Sequence, residues 1–320
     1  MLNRIQNRSI PGLSLAAAAA GLVALLGACA PYPVVEVDST NQSSRVDYIV
    51  IHFTSENFAE SMRLLTEPTP NPVSSHYLIP QRGDATYPRF RLILHRLVPE
   101  YRRAWHAGRS YWAGEESLND RSIGIEIVNL SACDPDATDP EQVQRLSESC
   151  TFTGFDDDQI EMLVNLLHDI LERYPGIDPV DIVGHSDIAP ARKFDPGPLF
   201  PWKRLYDAGI GAWYEEDTVA RYRRRFRDQA LTQRQVARAL DAWGYRLCAP
   251  GVEELALAQA LRAFQMHFRA KSITATADVE TVSILYALLE RYRPDALAGL
   301  AAEPELPATS TLCAKPVVSE

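Results

Sequence analysis

The sequence predicts an α/β protein in which a mixed central β-sheet is flanked by helices and followed by a small helical domain. Short apolar runs, which suit buried strands, are interleaved with amphipathic helical patterns in the first two thirds of the chain. After about residue 220 only helical patterns remain. The 320 residues are 46% apolar and 23% charged, which is an ordinary globular composition, and this length usually divides into two domains.

The predicted elements follow from these patterns in chain order. Strands are predicted at 46–53, 76–79, 90–97, 123–130 and 180–183. The clearest helical pattern begins after Asp156 and stops at Pro175, with an acidic first turn that suits a helix N-terminus. Three prolines predict a stiff loop over 195–202. Further helices are predicted at 231–243, 252–268 and 277–292, followed by a tail over 298–320.

Residues 1–28 are predicted to be a lipoprotein signal peptide. An apolar stretch over 13–26 follows two arginines, and it ends in Leu26-Gly27-Ala28-Cys29, which resembles the bacterial lipobox. Cys29 would then carry the lipid anchor, and residues 29–44 would be a tether. Since Ala30 rather than aspartate follows, we expect an outer-membrane lipoprotein of a Gram-negative bacterium that faces the periplasm. The alternative is a soluble secreted protein with an incidental cysteine.

Charge and cysteine content narrow the class of protein further. The formal net charge of -10 argues against nucleic acid as a partner, because phosphate binding needs clustered Lys and Arg. Four cysteines remain besides Cys29, an even number in an oxidising compartment. Proximity along the chain favours the disulfides Cys133–Cys150 and Cys248–Cys313. Four buried free thiols are the alternative.

Two of the seven histidines, His52 and His185, stand at the ends of predicted strands. Ligands of α/β sheets bind outside the carboxyl ends of strands, so both histidines are candidate metal ligands. Asp195 lies on the proline-stiffened loop and could be a third ligand, with Lys193 close to it. The alternatives are hydrogen-bonded core histidines and a turn-forming aspartate before proline.

The segment 184–198, which reads GHSDIAPARKFDPGP, resembles the signature of the zinc N-acetylmuramoyl-L-alanine amidases of type 2. This family is related to the peptidoglycan recognition proteins. Segments 50–54, 73–79, 104–110 and 119–126 are also similar to family segments, in the same order. The resemblance covers roughly residues 45–215. It implies an amidase-like catalytic domain over 45–219, and the lipobox makes the chain most similar to the outer-membrane lipoprotein members.

The resemblance also implies roles for individual residues. By position, His52, His185 and Asp195 match the ligands of one Zn²⁺ per chain. Glu126 matches the acid that accepts a proton from the attacking water, and Lys193 matches the cation near the developing oxyanion.

Three further residues fall in segments that resemble the substrate cleft of the family. Trp105 and His106 are expected to contact substrate, with a structural role as the alternative for His106. His76 is a weaker candidate for the same cleft, because a histidine within a strand pattern is more often a hydrogen-bonded core residue.

The helical residues 220–297 resemble a three-helix peptidoglycan-binding domain. The usual glycine-rich turn before Asp278 is replaced by Ser-Ile-Thr-Ala-Thr at 272–276. A packing domain without a ligand is therefore the alternative.

Taken together, the resemblance implies an enzyme of cell-wall turnover, and we expect it to be a monomer. It would cleave the amide bond between the lactyl group of N-acetylmuramic acid and L-alanine, in peptidoglycan or in anhydro-muropeptides. Two alternatives remain at this point. One is a zinc-containing lipoprotein that binds peptidoglycan without hydrolysis, and the other is a zinc peptidase that cuts within the stem peptide.

Overall fold

The computed structural model describes residues 35, 37–42, 44–133, 150–248 and 254–302. The predicted signal peptide, Cys29, Cys313 and residues 303–320 of the predicted tail lie outside these residues. The chain divides into two units, residues 1–43 and 44–320. In the first unit, the backbone N–H of Asn41 donates to Ser39 Oγ at 3.1 Å. The strands and helices described below all belong to the second.

The described strands form one central sheet and two short hairpins. They are β1 (Tyr48–Phe53), β2 (Tyr77–Ile79), β3 (His95–Arg96), β4 (Tyr111–Trp112), β5 (Glu115–Glu116), β6 (Ser122–Ile127), β7 (Ala132–Cys133), β8 (Cys150–Thr151) and β9 (Ile182–Gly184). The central sheet has the order β3-β2-β6-β1-β9. Its neighbours pair in parallel except for β2 and β3, which are antiparallel. The sheet is therefore mixed.

Helices account for the rest of the regular structure. The described α-helices are α1 (Phe58–Thr66), α2 (Asp157–Arg173), α3 (His185–Ile188), α4 (Trp202–Asp207), α5 (Glu216–Asp228), α6 (Gln233–Trp243), α7 (Glu254–Phe268), α8 (Val279–Tyr292) and α9 (Pro294–Ala302). The predicted fold class, a mixed sheet flanked by helices with further helices after it, is confirmed. Among the described residues, no helix combines the length and apolar character that crossing a membrane requires.

Strand β1 shows how the sheet separates two cores. Ile49 and Ile51 belong to the buried cluster that also contains Leu163 and Leu167 of helix α2. Val50 belongs to a different cluster, which includes residues of the C-terminal helices. Because successive side chains of a strand point to opposite faces, His52 follows Val50 on the face away from α2.

Two predicted strands differ from the observed ones. Of residues 90–97, only His95–Arg96 pairs, because β2 offers just two partners there and the side chain of Phe90 is 91% exposed. The strand predicted at 180–183 is shifted to Ile182–Gly184, because Pro179–Asp181 forms a 3-10 turn first. Apolar composition indicated burial in both segments but could not indicate which residues find a pairing partner.

The C-terminal region contains the three predicted helices, as α6, α7 and α8, together with α5 and α9. Helix α9 extends to Ala302, five residues beyond the predicted end of the helical region, because Leu297 and Leu300 pack against the C-terminal core. Ile188 and Phe264 are members of one buried cluster, so residues from both sides of the predicted 219/220 boundary share a core. The boundary itself remains a prediction.

Strands β7 and β8 carry a disulfide between Cys133 and Cys150, which lie opposite each other in the ladder. This is the first of the two predicted pairs. Cys248 is also disulfide-bonded. Since Cys313 lies outside the described residues, the second predicted pair remains a prediction.

Candidate metal centre

Three adjacent strands deliver polar side chains to one edge of the sheet. In the parallel pair β1–β6, His52 lies directly opposite Glu126. In the parallel pair β1–β9, Ile51 lies opposite Gly184, and His185 follows at once as the first residue of helix α3. The carboxyl ends of the strands thus place His52, Glu126 and His185 side by side, as the general rule for α/β sheets requires.

Asp195 reaches the same place because the chain folds back after helix α3. The backbone N–H of Ser186 donates to the carbonyl of Asp195 at 2.8 Å, which closes the segment between them. Gly184 permits this approach, since a Cβ there would lie 2.6 Å from Pro196 Cδ. The segment from His185 to Asp195 is therefore a compact turn with a metal-ligand candidate at each end.

The three candidate ligand atoms converge. His52 Nδ1 lies 2.8 Å from Asp195 Oδ2 and 3.0 Å from His185 Nδ1, and His185 Nδ1 lies 3.1 Å from the same carboxylate oxygen. All three residues are buried, and they form the one group of this kind among the described residues. Ligands of a tetrahedral zinc ion, with bonds of about 2.0–2.1 Å, lie about 3.3 Å apart. The observed separations are close to that value.

A chain of hydrogen bonds behind His52 determines which of its nitrogens carries the proton. The hydroxyl of Ser122 donates to the carbonyl of Leu118, so its oxygen can only accept from His106 Nε2, which is 3.2 Å away. His106 Nδ1 is then the acceptor for the Nε2–H of His52, at 3.0 Å. The lone pair of His52 is consequently on Nδ1, the atom that faces Asp195.

A single hydrogen bond fixes the same tautomer in His185. Its Nε2 lies 3.1 Å from the carbonyl oxygen of Ala107, which can only accept, so Nδ1 is left with a lone pair. Burial lowers the pKa of His185 from 6.5 to about 4, which keeps the ring neutral at pH 7. A neutral imidazole is the form that binds a metal ion.

Two imidazole lone pairs and a carboxylate oxygen thus point at one another at about 3 Å, an arrangement that a cation stabilises. The donor set of two nitrogens and one oxygen fits a metal ion with an open coordination position.

Alternate residues of strand β6 support the candidate metal ligands from the sheet. Ser122, Gly124 and Glu126 alternate along the strand and so share one face. A Cβ on Gly124 would lie 2.3 Å from the ring of His106, so only glycine leaves room for that ring. Sequence reasoning missed the roles of Ser122 and His106 towards His52. The alternation of Ser, Gly and Glu was the signal that could have indicated a shared face.

Glu126 and Lys193 complete a cavity of about 210 Å³ with the three ligand candidates. Glu126 Oε2 is buried and has no hydrogen-bond partner among the described residues. Burial raises the pKa of Glu126 from 4.5 to about 7, although His52 and Lys193 act in the opposite direction. A carboxylate with a pKa near the working pH can both accept and return a proton.

The other predicted cleft residues separate into three cases. His106 lines the cavity, and its two ring nitrogens contact His52 and Ser122, so its contact with substrate remains a prediction. His76 is fully buried, accepts from the N–H of Gly124 at 3.0 Å and bonds the carbonyl of Arg102 at 3.1 Å, so its contacts are those of a core histidine. Trp105 is 51% exposed and available for contact with a ligand.

Loss of the His106 ring should weaken metal binding. We expect His106→Ala to lower zinc affinity about 10- to 100-fold, the usual effect of removing a partner that orients a metal-ligating histidine. The measurement is competition with a chelator. His95→Ala is the control for the loss of a histidine ring, because His95 packs against Phe58 and Tyr87 rather than against His106 or a candidate ligand. Equal losses in the two variants would mean that packing, not the hydrogen bond to His52, is responsible.

Comparison with known proteins agrees with this geometry. The family model for N-acetylmuramoyl-L-alanine amidase matches residues 42–198. The N-acetylmuramoyl-L-alanine amidase AmiD of Escherichia coli (strain K12) is 39% identical over 254 residues, which are 78% of this chain and 85% of that relative.

Two solved structures are similar over most of their length. AmpDh3 from Pseudomonas aeruginosa, in complex with anhydromuramic pentapeptide, is 43% identical with a TM-score of 0.73, over 80% of this chain and 96% of that chain. AmiD from E. coli, with the substrate anhydro-N-acetylmuramic acid-L-Ala-D-gamma-Glu-L-Lys, is 37% identical with a TM-score of 0.68, over 80% and 93%. Sequence, fold and the buried group of two histidines and one aspartate agree, and the chain belongs to the N-acetylmuramoyl-L-alanine amidase family.

Proposed function

We propose that this chain uses one Zn²⁺ to hydrolyse the amide bond between the lactyl group of N-acetylmuramic acid and L-alanine. The observation that carries the proposal is the convergence of His52 Nδ1, His185 Nδ1 and Asp195 Oδ2 beside the unpartnered buried oxygen of Glu126. A cation site next to a proton acceptor is what amide hydrolysis by water needs.

His52, His185 and Asp195 would hold the metal ion. Two imidazoles and a carboxylate are a donor set that zinc accepts readily, with a position left open. When bound, zinc supplies a Lewis acid that polarises the scissile carbonyl and makes water more acidic. The protein's own part is to keep both histidines in the Nδ1-lone-pair form, through Ser122, His106 and the carbonyl of Ala107.

Glu126 is proposed to move the proton. Its carboxylate takes a proton from the attacking water as the new C–O bond forms, and it passes this proton to the nitrogen of L-alanine as the C–N bond breaks. The products are a lactyl carboxylate and a peptide with a free amino terminus. The raised pKa of Glu126, about 7, suits both halves of this transfer.

Lys193 is proposed to stabilise the negative charge that develops on the carbonyl oxygen. It lines the same cavity as Glu126, on the turn that ends with Asp195. A donor aimed at a developing oxyanion is commonly worth about 3–4 kcal/mol in comparable sites.

Muropeptides with an anhydro sugar are the substrate class that we propose first, with intact peptidoglycan as a second source of the same bond. Two structurally similar relatives are named in complex with anhydromuramyl peptides. Val73 on the cavity rim and the neighbouring Trp105, both partly exposed, offer apolar surface to such a ligand.

Mass analysis of the products from a defined anhydro-muropeptide tests the function. We expect release of the whole stem peptide with a free N-terminal alanine, in a reaction that a chelator stops and zinc restores. A shortened stem with an intact lactyl–alanine bond would instead identify a peptidase. Binding without any product would identify a wall-binding protein.

We further propose that the enzyme is a monomer anchored in the outer membrane and facing the periplasm. Support for the anchor and its location comes from the sequence alone, from the lipobox-like residues 26–29 and from Ala30 in place of aspartate. A lipid on Cys29 would hold the enzyme close to the wall, and several acyl chains together give firm anchoring.

Replacing Cys29→Ser should abolish lipidation. We expect a precursor of higher mass that no longer labels with a radioactive fatty acid, while the hydrolysis of small muropeptides by the purified protein is unchanged. Labelling and membrane fractionation are the measurements. If the Cys29→Ser protein still carries lipid and stays in the outer membrane, the proposed anchor is wrong.

A further inference from the structure

Asp187 is a buried carboxylate that the proposed chemistry does not use. It is 2% exposed and lies two residues after His185, within helix α3. Three donors surround its two oxygens. Oδ2 accepts from the backbone N–H of Gly184 at 2.9 Å and lies 2.8 Å from His267 Nδ1, and Oδ1 accepts from the hydroxyl of Tyr245 at 2.7 Å.

The donors come from two different parts of the chain. Gly184 ends strand β9, immediately before His185. Tyr245 follows helix α6, and His267 is near the end of helix α7 in the C-terminal region. The ring of His267 is stacked on Trp202, with centroids 3.8 Å apart and planes at 14°, which fixes the direction of its Nδ1. The C-terminal helices therefore hold the beginning of the turn that carries the metal-ligand candidates.

A second contact holds the later part of the same turn. Arg262 on helix α7 is 1% exposed and donates from Nη2 to the carbonyl of Pro190. Its guanidinium also lies over the ring of Phe194, 4.6 Å from the centroid. Phe194 stands between Lys193 and Asp195, so helix α7 reaches the turn near both of its ends.

We propose that Tyr245, His267 and Arg262 are positioning residues of the metal centre, and that the C-terminal helices set the affinity for the metal ion. Removing the Tyr245 hydroxyl takes away the donor to Oδ1 of buried Asp187, and removing His267 takes away one of the two donors to Oδ2, and either loss is costly inside a protein. The cost is relieved if helix α3 shifts, and His185 then leaves its place opposite His52. This role is separate from any binding of the wall by these helices, and it rests on the proposed zinc site.

The test uses full-length Tyr245→Phe, which removes a single oxygen atom. We expect zinc affinity, measured by chelator competition, to fall about tenfold, as is usual for outer partners of a metal site. We also expect the visible absorption spectrum of the Co²⁺-substituted protein to change. Tyr292→Phe is the matched control. Its hydroxyl bonds the backbone of Trp213, away from the turn, and its loss should leave affinity and spectrum unchanged.

Two substitutions at His267 give a second, independent test of the proposal. An asparagine amide can place a donor close to the position of the lost Nδ1, whereas leucine cannot. We therefore expect His267→Asn to retain more zinc affinity than His267→Leu. If His267→Leu does not fold, the comparison of Tyr245→Phe with Tyr292→Phe still decides.

Equal zinc affinity and an unchanged Co²⁺ spectrum in Tyr245→Phe, relative to the wild type, would overturn the proposal and leave the contact a packing feature. Failure of the proposed function would look different. A wild-type protein that binds zinc but leaves the lactyl–alanine bond intact would contradict the amidase activity, while the affinity comparison would remain valid.

Discussion

Glu126→Gln is expected to lower kcat by about 10²–10⁴ while the protein keeps its zinc, the usual range when a general base is removed. The amide has nearly the same size as the carboxylate, so the packing around residue 126 on strand β6 is preserved. It cannot accept a proton, however, and the attacking water and the leaving nitrogen both depend on that transfer. Glu126 Oε2 has no hydrogen-bond partner among the described residues, so the change breaks no hydrogen bond of that oxygen.

The measurement is the rate of release of stem peptide with a free N-terminal alanine, together with the zinc content per chain. Glu172→Gln on the exposed side of helix α2 is the control for the loss of one negative charge. Full activity in Glu126→Gln would show that the base is misassigned, even though the metal site stands. Loss of zinc in this variant would place Glu126 among the ligands instead.

Much of this site can be predicted from the sequence, because the ends of buried strands can be recognised from their apolar runs. An apolar run that ends in histidine predicts a buried strand with a ligand candidate at its carboxyl end, and His52 and His185 both follow such runs. Parallel pairing then places them together without further information. The proline-stiffened loop makes Asp195 a candidate third ligand with Lys193 beside it, the role of Glu126 comes from the resemblance, and the structure brings all three to one cavity.

The supporting contacts could not be predicted, because they join residues far apart in sequence through side-chain geometry. His106 lies 54 residues from His52, and its tautomer depends on the single hydroxyl hydrogen of Ser122. A hydrophobic pattern contains no information about the tautomer of a histidine. Contact between His106 and substrate remains a prediction, because the ring lines the cavity while both of its nitrogens also contact His52 and Ser122.

The C-terminal helices illustrate the same limit on a larger scale. Their amphipathic patterns predicted three helices correctly, but periodicity does not say what an apolar face packs against. The sequence pattern likewise gives no sign that His267 and Asp187 are in contact. Only the fold shows that the two meet, 80 residues apart, at 2.8 Å.

Removal of a metal-ligand candidate should have the largest effect on the metal itself. We expect His185→Ala and Asp195→Asn each to lower zinc affinity by more than about 100-fold, since residues that merely orient a ligand are already worth 10- to 100-fold. Activity should fall to the background rate, because three protein ligands are the minimum for a zinc site with an open position.

Asp195→Asn is the more informative of these two variants, because it keeps the shape of the side chain and removes only its charge. Two neutral imidazoles and an amide oxygen attract a divalent cation far less than a set that contains a carboxylate, so metal content should fall although the turn from His185 is unchanged.

His168→Ala is the matched control for the loss of a histidine. Its ring is on the exposed side of helix α2, with Nε2 2.9 Å from the carbonyl of Ala208, and its removal should leave zinc and activity intact. Zinc content is measured after dialysis against a weak chelator, and folding is followed by thermal denaturation. If Asp195→Asn and His185→Ala retain one tightly bound zinc ion per chain, the ion is held elsewhere, and the convergence of His52, His185 and Asp195 is not the metal site.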